Sequence, residues 1–413
     1  MNIGFISQSL PYLPSADGFR LIGANLLRHL GSHHRIDLVS LLTEDDANHL
    51  DWPRAYCATI NTIRTRSFSP FRRTLNLTSA LLRGRQLHYR PELNAMLRRL
   101  SHQFSWDVMH VEGGFVAGLI DDMSLPAVLS LHDAFSLRCS EMLRCSRSVR
   151  ERAYYSILRY LEPRYARRLY PLFARCVFVA QRDCTAVQAL VPDSHCVVIP
   201  NGVDTEYFRP VGATAKGPLL VFHGNLSYSP NVDAVLTFVH DIMPRIVRRV
   251  PEIVLHLVGA TPSQAILDLV THPRVRLSAN LPDLRAAVSA ATVYVCAVRH
   301  GSGIKNKILE AMAMQRPIVS YPAALDGIDC RPGEHLLTAT SPDEFSDHVL
   351  MLLRCPERAS DLGSAARKYV EENYSWESRA HAYEHLYAAI IRENTGGRRR
   401  GRRRVRHSEV TSP

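Results

Sequence analysis

Gly301-Ser302-Gly303-Ile304-Lys305-Asn306-Lys307-Ile308-Leu309-Glu310-Ala311-Met312-Ala313-Met314 reads as a small glycine-containing loop that turns into a helix. Two glycines let backbone approach a ligand closely. The first turn of the helix offers unpaired N–H groups at the positive end of its dipole, and the combination suits a phosphate. Lys305 and Lys307 add formal charge at the same end. Glu310 follows further into the helix, where a carboxylate can accept hydrogen bonds from a ribose diol. A phosphate cradle followed by an acceptor for sugar hydroxyls is what a nucleotide diphosphate requires. The same letters also describe a capped helix with an apolar Leu, Met and Ala face, so the neighbouring segments have to decide.

Apolar Thr292–Cys296 leads into the loop, and Ile318–Ser320 follows the helix. Further back, strand patterns at Leu219–Phe222, Ile253–Val258 and Val275–Leu277 alternate with helical patterns at Val232–Val250, Pro262–Thr271 and Leu281–Ala290. The first half repeats the design. Its strands are expected at Ile3–Ser7, Ile36–Leu42, Val108–Val111, Ala127–Leu131, Cys176–Val179 and Cys196–Ile199, with a helix at Phe19–Leu30. Strands separated by helices imply parallel sheets covered on both faces. Ile199-Pro-Asn-Gly-Val-Asp204, Phe208-Arg-Pro210 and the polar 212–217 stretch punctuate the join. The expected organisation is a first α/β domain over 1–205 and a second over 206–375. A helix over 376–392 should pack back on the first domain, and a disordered arginine-rich tail should cover 396–413. Ligands of such sheets bind beyond the carboxyl ends of the strands, so a cleft between two facing units is expected.

Composition sets bounds on this reading. A chain of 413 residues with 46% hydrophobic and 22% charged residues is globular and long enough for more than one core. No run approaches the roughly 18–20 apolar residues of a membrane span, and the opening MNIGFISQSLPYLP lacks a basic leader, which points to the cytosol. Nine cysteines without a Cys-x-x-Cys pair read as reduced thiols, and Cys139 and Cys145 lack metal-ligating neighbours. Of the net charge of +11, seven Arg and one Glu in the tail supply +6 and leave +5 elsewhere. The tail reads as a solubilising appendage or an anionic-lipid contact; without interleaved aromatics it does not suit nucleic-acid readout. Arg138–Arg175 holds ten Arg and three Glu with Tyr, Leu and Phe between them, either an ordinary charged helix face or a patch for an anionic membrane.

With these residues in view, the chain resembles glycosyltransferase family 4, the retaining sugar transferases with two Rossmann-like domains facing across a cleft (the B-type fold). The resemblance rests on Ile199-Pro-Asn-Gly-Val-Asp204 with Phe208, on Phe222-His-Gly-Asn225 with Pro230-Asn231, and on Lys307-Ile-Leu-Glu310-Ala-Met-Ala-Met314 with Pro317-Ile-Val319. The second half is similar to transferases found with bacterial exopolysaccharide gene clusters. The resemblance implies a nucleotide-sugar donor, a glycan or lipid-linked acceptor, transfer with retention, and a cytoplasmic enzyme peripheral to the inner face of the membrane. No metal and no separate cofactor are implied, since lysines and a helix N-terminus can meet the diphosphate.

The same resemblance assigns roles. Glu310 matches the glutamate that binds the donor ribose. The family's second glutamate, eight positions earlier, is replaced by Ser302, whose loss of charge the N–H groups of Gly303 and Ile304 could partly offset. Where the family has Arg and Lys after the first strand of the second domain, this chain has Asn225 and Asn231 beside Gly224. The diphosphate charge therefore falls to Lys305, favoured for its nearness to the loop, or to Lys307, with Arg299 in reserve. Asp17-Gly18 aligns with the glycine loop near the donor phosphate. His132, followed by Asp133, matches the histidine that contacts the donor sugar, and each of these two could instead be a turn or structural residue. Glu112-Gly113-Gly114 is a further candidate at a strand end, while Asn201 and Asp204 read as hinge and turn residues. A nucleotide-sugar epimerase on the same plan, or a non-catalytic glycan- or nucleotide-binding subunit, are the alternatives; the replaced Arg, Lys and Glu favour the latter of these.

Overall fold

The computed structural model describes residues 1–15, 18–43, 45–64, 91–120, 125–146, 148–212, 217–301 and 303–408. Ser302, Asp17 and residues 409–413, all named above, lie outside this set. The chain forms two compact units, one built from Met1–Cys139, Arg150–Ile199 and Arg379–Pro413, the other from Ser140–Val149 and Pro200–Ser378.

The first unit is a seven-stranded parallel sheet. Its strands are β1 (Asn2–Ser7), β2 (Arg35–Leu42), β3 (Thr59–Arg64), β4 (Val108–Glu112), β5 (Ala127–His132), β6 (Arg175–Phe178) and β7 (Cys196–Val198), in the order β3-β2-β1-β4-β5-β6-β7. Central strands carry near-continuous apolar runs because both faces are covered, as in Ile3, Phe5 and Ile6 or Val128 and Leu129, all buried. Helices α1 (Gly18–Leu30), α2 (Pro91–Gln103), α3 (Phe135–Cys145), α4 (Val149–Leu169) and α5 (Gln181–Leu190) connect them. One buried carboxylate braces the sheet's first half. Asp37 on β2 accepts from Trp106 Nε1 at 3.0 Å and from Thr59 Oγ1 at 2.8 Å, and pairs with Arg35 at 3.1 Å.

The second unit is a six-stranded parallel sheet: β8 (Leu219–His223), β9 (Val254–Gly259), β10 (Val275–Ala279), β11 (Val293–Cys296), β12 (Ile318–Ser320) and β13 (Leu337–Thr338), ordered β10-β9-β8-β11-β12-β13. In both sheets the strand order reverses beside the first strand, which places the ends of β1/β4 and β8/β11 where ligands of this architecture bind. The expected helix Val232–Val250 is observed in three parts: α6 (Ser229–Thr237), a π turn over Phe238–Ile242, and a short helix over Met243–Val247. Pro244 has no N–H to offer the His240 carbonyl, so the ladder widens ahead of it. Helix α7 (Asn306–Ala313) follows the glycine loop, and α8 (Pro342–Arg354) and α9 (Pro356–Asn373) complete the unit.

The last helix, α10 (Trp376–Ser408), returns to the first unit. Glu384 meets His34 at 2.8 Å, Glu393 meets Arg175 at 2.7 Å, and the Tyr383 hydroxyl lies 3.3 Å from Ser130. Its backbone runs on through Ser408, over most of the segment from 396 that sequence reading expected to be disordered. Gly396, Gly397 and Gly401 disfavour a helix here, while the arginines and the extension of an existing helix, which needs no new nucleus, favour it. Among the described residues no helix is long and apolar enough to cross a membrane.

Candidate functional site

In the second unit Gly224, Asn225, Lys307 and Glu310 come together at the carboxyl end of β8. His223 ends that strand and is buried; its Nε2 lies 2.6 Å from Glu310 on α7. His223 Nδ1 is also buried and has no hydrogen-bond partner among the described residues. A bare lone pair there costs less than an unpaired N–H, so the ring is best satisfied with its proton on Nε2, donating to Glu310. Tyr294, fully buried on β11, supports the imidazole edge-on at 5.4 Å. Glu310 is thus held as an acceptor by a group the sequence reading quoted but gave no role. The signal was present, since His223 ends a strand just as His132 does.

Gly224 turns the chain with a φ of +146°, and its N–H donates to Val258 at 3.0 Å. A side chain there would collide with Lys307 Nζ. The neighbouring Gly259 is packed more tightly still: a Cβ would sit 1.7 Å from the Gly224 carbonyl oxygen. Asn225 shapes the turn, its Oδ1 accepting from the Ser227 N–H at 2.9 Å and Thr261 Oγ1 at 3.0 Å. Asn231 Nδ2 donates to the Asn225 carbonyl at 2.7 Å, and its Oδ1 receives the Lys307 ammonium.

The two lysines are arranged in the opposite sense to the preference stated above. Lys305 is buried and folds back on its own loop, donating to the Gly301 and Gly303 carbonyls at 2.8 and 2.7 Å. It binds the loop together. Lys307 instead reaches Gly224 and Asn231, with its ammonium 4.5 Å from the centre of the Phe222 ring. Burial pushes its pKa down from 10.5 to about 8, against the pull of Glu310. Alternate positions along a helix start point different ways, and only the tertiary partners decide which faces the strand end. Arg299 is drawn to Thr237 on α6 at 2.8 Å. The N–H groups of Gly303 and Ile304 find no backbone acceptor among the described residues. Asn201 Nδ2 donates to Asn306 Oδ1 at 3.0 Å, pinning the start of α7, while Asp204 caps its own turn by accepting from the Tyr207 N–H at 2.9 Å.

The first unit has its own cluster. His132 ends β5 in a left-handed conformation, φ +66°, after a register shift between Ser130 and His132. Its Nε2 bonds one oxygen of Glu112, and His110 Nε2 bonds the other at 2.7 Å. Glu112 is fully buried at the end of β4. Burial alone would raise its pKa, but the charge of His132 and hydrogen bonds from both imidazoles hold it below the ordinary carboxylate range. Gly18 is the first residue of α1 and exposed, with open space where a Cβ would stand. The next residue, Phe19, meets the His132 ring edge-on at 4.5 Å.

Comparison with known proteins gives a consistent picture. Residues 24–207 match the family described as Glycosyltransferase Family 4, and residues 217–355 match Glycosyl transferases group 1. An uncharacterised 44.6 kDa protein in the cps region of Klebsiella pneumoniae is 20% identical over 317 residues, covering 72% of this chain and 76% of that protein. A GDP-mannose-dependent monoacylated alpha-(1-6)-phosphatidylinositol monomannoside mannosyltransferase of Corynebacterium glutamicum is 23% identical over 203 residues, 43% of this chain and 52% of that one. Among solved structures, sucrose-phosphate synthase from Thermosynechococcus elongatus superposes with a TM-score of 0.67 at 16% identity, over 95% of this chain and 99% of that chain. Anabaena HepE, solved with UDP and glucose, gives a TM-score of 0.64 at 14% identity, over 94% of this chain and 99% of that one.

Proposed function

Because this chain is a glycosyltransferase of the family 4 type, with the two-domain B-type fold, we propose that it moves a hexose from a nucleotide-diphosphate donor to a glycan or lipid-linked acceptor in cell-surface polysaccharide synthesis. One observation carries the donor half of this reading: at the end of β8, an oriented carboxylate and an amine lie on one helix start, Glu310 and Lys307, beside the Gly224 turn. Glu310 accepts from the ribose diol. Lys307 and the N-terminus of α7, with the Gly303 and Ile304 N–H groups, receive the diphosphate. Charge grows on that leaving group as the glycosidic bond breaks, so a cation placed there favours the transition state over the ground state. His132 contacts the donor sugar, and the departing phosphate itself takes the proton of the incoming hydroxyl on the same face, which retains configuration. No divalent cation has a role in this scheme. The likeness to HepE, solved with UDP and glucose, and to a relative from a cps region supports the substrate class.

The test is a thermal-shift panel of UDP-, GDP- and ADP-sugars against wild type and Glu310→Ala. One nucleotide class should raise the apparent melting temperature of the wild type, as any ligand of the native state does by mass action. Removing a charged acceptor should weaken donor binding by about 1.5–3 kcal/mol and largely erase that shift. A panel without any response would remove the donor site from the proposal, and binding without turnover would favour a non-catalytic subunit.

Contact with an anionic membrane is the second part of the proposal. On α4, Tyr154, Ile157 and Tyr160 are exposed beside Arg152, Arg159 and Arg164, while Leu161, Ala166 and Leu169 face the core. An apolar and basic outer face suits anionic headgroups. Flotation should recover the protein with vesicles containing anionic lipid and not with neutral ones; equal recovery would contradict this part.

A further inference from the structure

The donor chemistry proposed above gives no task to Glu112, a buried group of the first unit. Glu112 places a carboxylate where no solvent reaches it, between two imidazoles. A carboxylate can only accept, so His110 Nε2 and His132 Nε2 must both carry protons. A neutral His110 then accepts at Nδ1 from the Tyr387 hydroxyl on α10, 2.7 Å away, whereas a cationic His110 donates to it. With both imidazoles neutral, the hydrogen bonds admit one arrangement. Tyr387 donates to His110, and His110 and His132 both donate to Glu112. The rings are fixed from the sides as well. Phe5 stacks on His110 at 4.4 Å, and Phe19 meets His132 edge-on at 4.5 Å. His132 also holds a left-handed backbone, uncommon for a residue with a side chain and found where surrounding structure imposes it.

We propose that Glu112 is a positioning residue for His132. By fixing the proton on Nε2 it makes Nδ1 the basic nitrogen of the His132 ring, and His110 and Tyr387 fix Glu112 in turn. The inference rests on the reading of His132 as a contact of the donor sugar. Glu112 does not touch substrate; it sets which nitrogen His132 brings to the reaction. Among the described residues the titratable groups around it are His110 on β4, His132 with Asp133 at the end of β5, and Tyr383 and Tyr387 on α10.

The experiment combines nitrogen-15 imidazole spectra with steady-state kinetics on the full chain, comparing wild type, Glu112→Gln and Tyr387→Phe. A His132→Gln spectrum assigns the ring. In wild type His132 should show the proton on Nε2. Glutamine offers one oxygen and one NH2, so one imidazole must turn a lone pair toward the amide, and the tautomer signal of His110 or His132 should change. With it, kcat should fall about a hundredfold while the donor KM stays within about threefold, the split expected when a contact to the donor sugar that tightens in the transition state is misoriented. Tyr387→Phe frees His110 Nδ1 from its donor and should lower kcat about five- to tenfold with an unchanged donor thermal shift. This milder variant keeps the test open if Glu112→Gln folds poorly. A wild-type His132 protonated on Nδ1, or a Glu112→Gln protein with unaltered tautomer and kcat, overturns the proposal. If wild type transfers no sugar, the functional reading fails, while the tautomer of His132 in wild type and Tyr387→Phe still decides the positioning role.

Discussion

Lys307→Met is expected to lower kcat/KM for the donor by about a hundredfold to a thousandfold, the loss typical when one fixed electrostatic partner of a transition-state charge is removed. The reasoning is local. Of the two lysines, Lys305 is held by the carbonyls of Gly301 and Gly303. Lys307 alone brings its ammonium to the Gly224 turn. No arginine stands where the family has one, so little remains to neutralise the diphosphate. The pH dependence adds a second check. With a pKa near 8 in the folded chain, the amine loses its charge above that value, and kcat/KM should fall on the alkaline side. Lys307→Arg should keep the charge and remove this limb. The sign for stability is opposite. Since the same amine titrates near 10.5 when unfolded, the unfolded chain holds more protons between about 8 and 10.5. Folding therefore gains from this residue as pH rises through that window, and the burial penalty is fully present below it. Unchanged kinetics in Lys307→Met would move the diphosphate role to another group.

Gly259→Ala should produce the largest loss of stability among single substitutions near the site, about 3 kcal/mol or more. Its Cβ would stand 1.7 Å from the Gly224 oxygen and 2.9 Å from the Gly224 carbonyl carbon. Both are backbone atoms and cannot rotate away. Either β9 shifts against β8 or the Gly224 turn moves, and with it the seats of Lys307 and Asn231. Calorimetry should show the transition of the second unit lowered by about 6–12 °C, taking 2–4 °C per kcal/mol for a unit of this size. The donor-induced thermal shift should vanish together with it. Stability close to wild type would mean the strand ends are looser than their packing shows.

Where strands are buried on both faces, the sequence is explicit. β1, β5 and β11 are apolar runs with turn residues at their ends, and the sheets follow from them. β3 escapes because Thr59-Ile-Asn-Thr-Ile-Arg64 is an edge strand that is mostly half-buried, with only Ile63 fully inside. β13 is too short for a pattern, at two residues. In the site, the loop-helix rhythm exposes Glu310 and both lysines, but not which lysine faces the strand end. That choice depends on Asn231 and on loop carbonyls brought in by the fold. His110 and Glu112 could have been paired, since residues two apart on a strand share a face. What no local reading could supply was Tyr387, which reaches that pair from 277 positions along the chain.

The return of α10 to the first unit has a consequence for how this protein is made. Tyr383, Tyr387 and Glu393 are needed by partners on β5, β4 and β6, yet they are made after the whole of the second unit. The second unit ends at Ser378 and has all its strands before that point. Synthesis order and completion order are therefore inverted. The amino-terminal sheet must wait, with His110 lacking its hydroxyl partner, until the carboxyl-terminal half has been made.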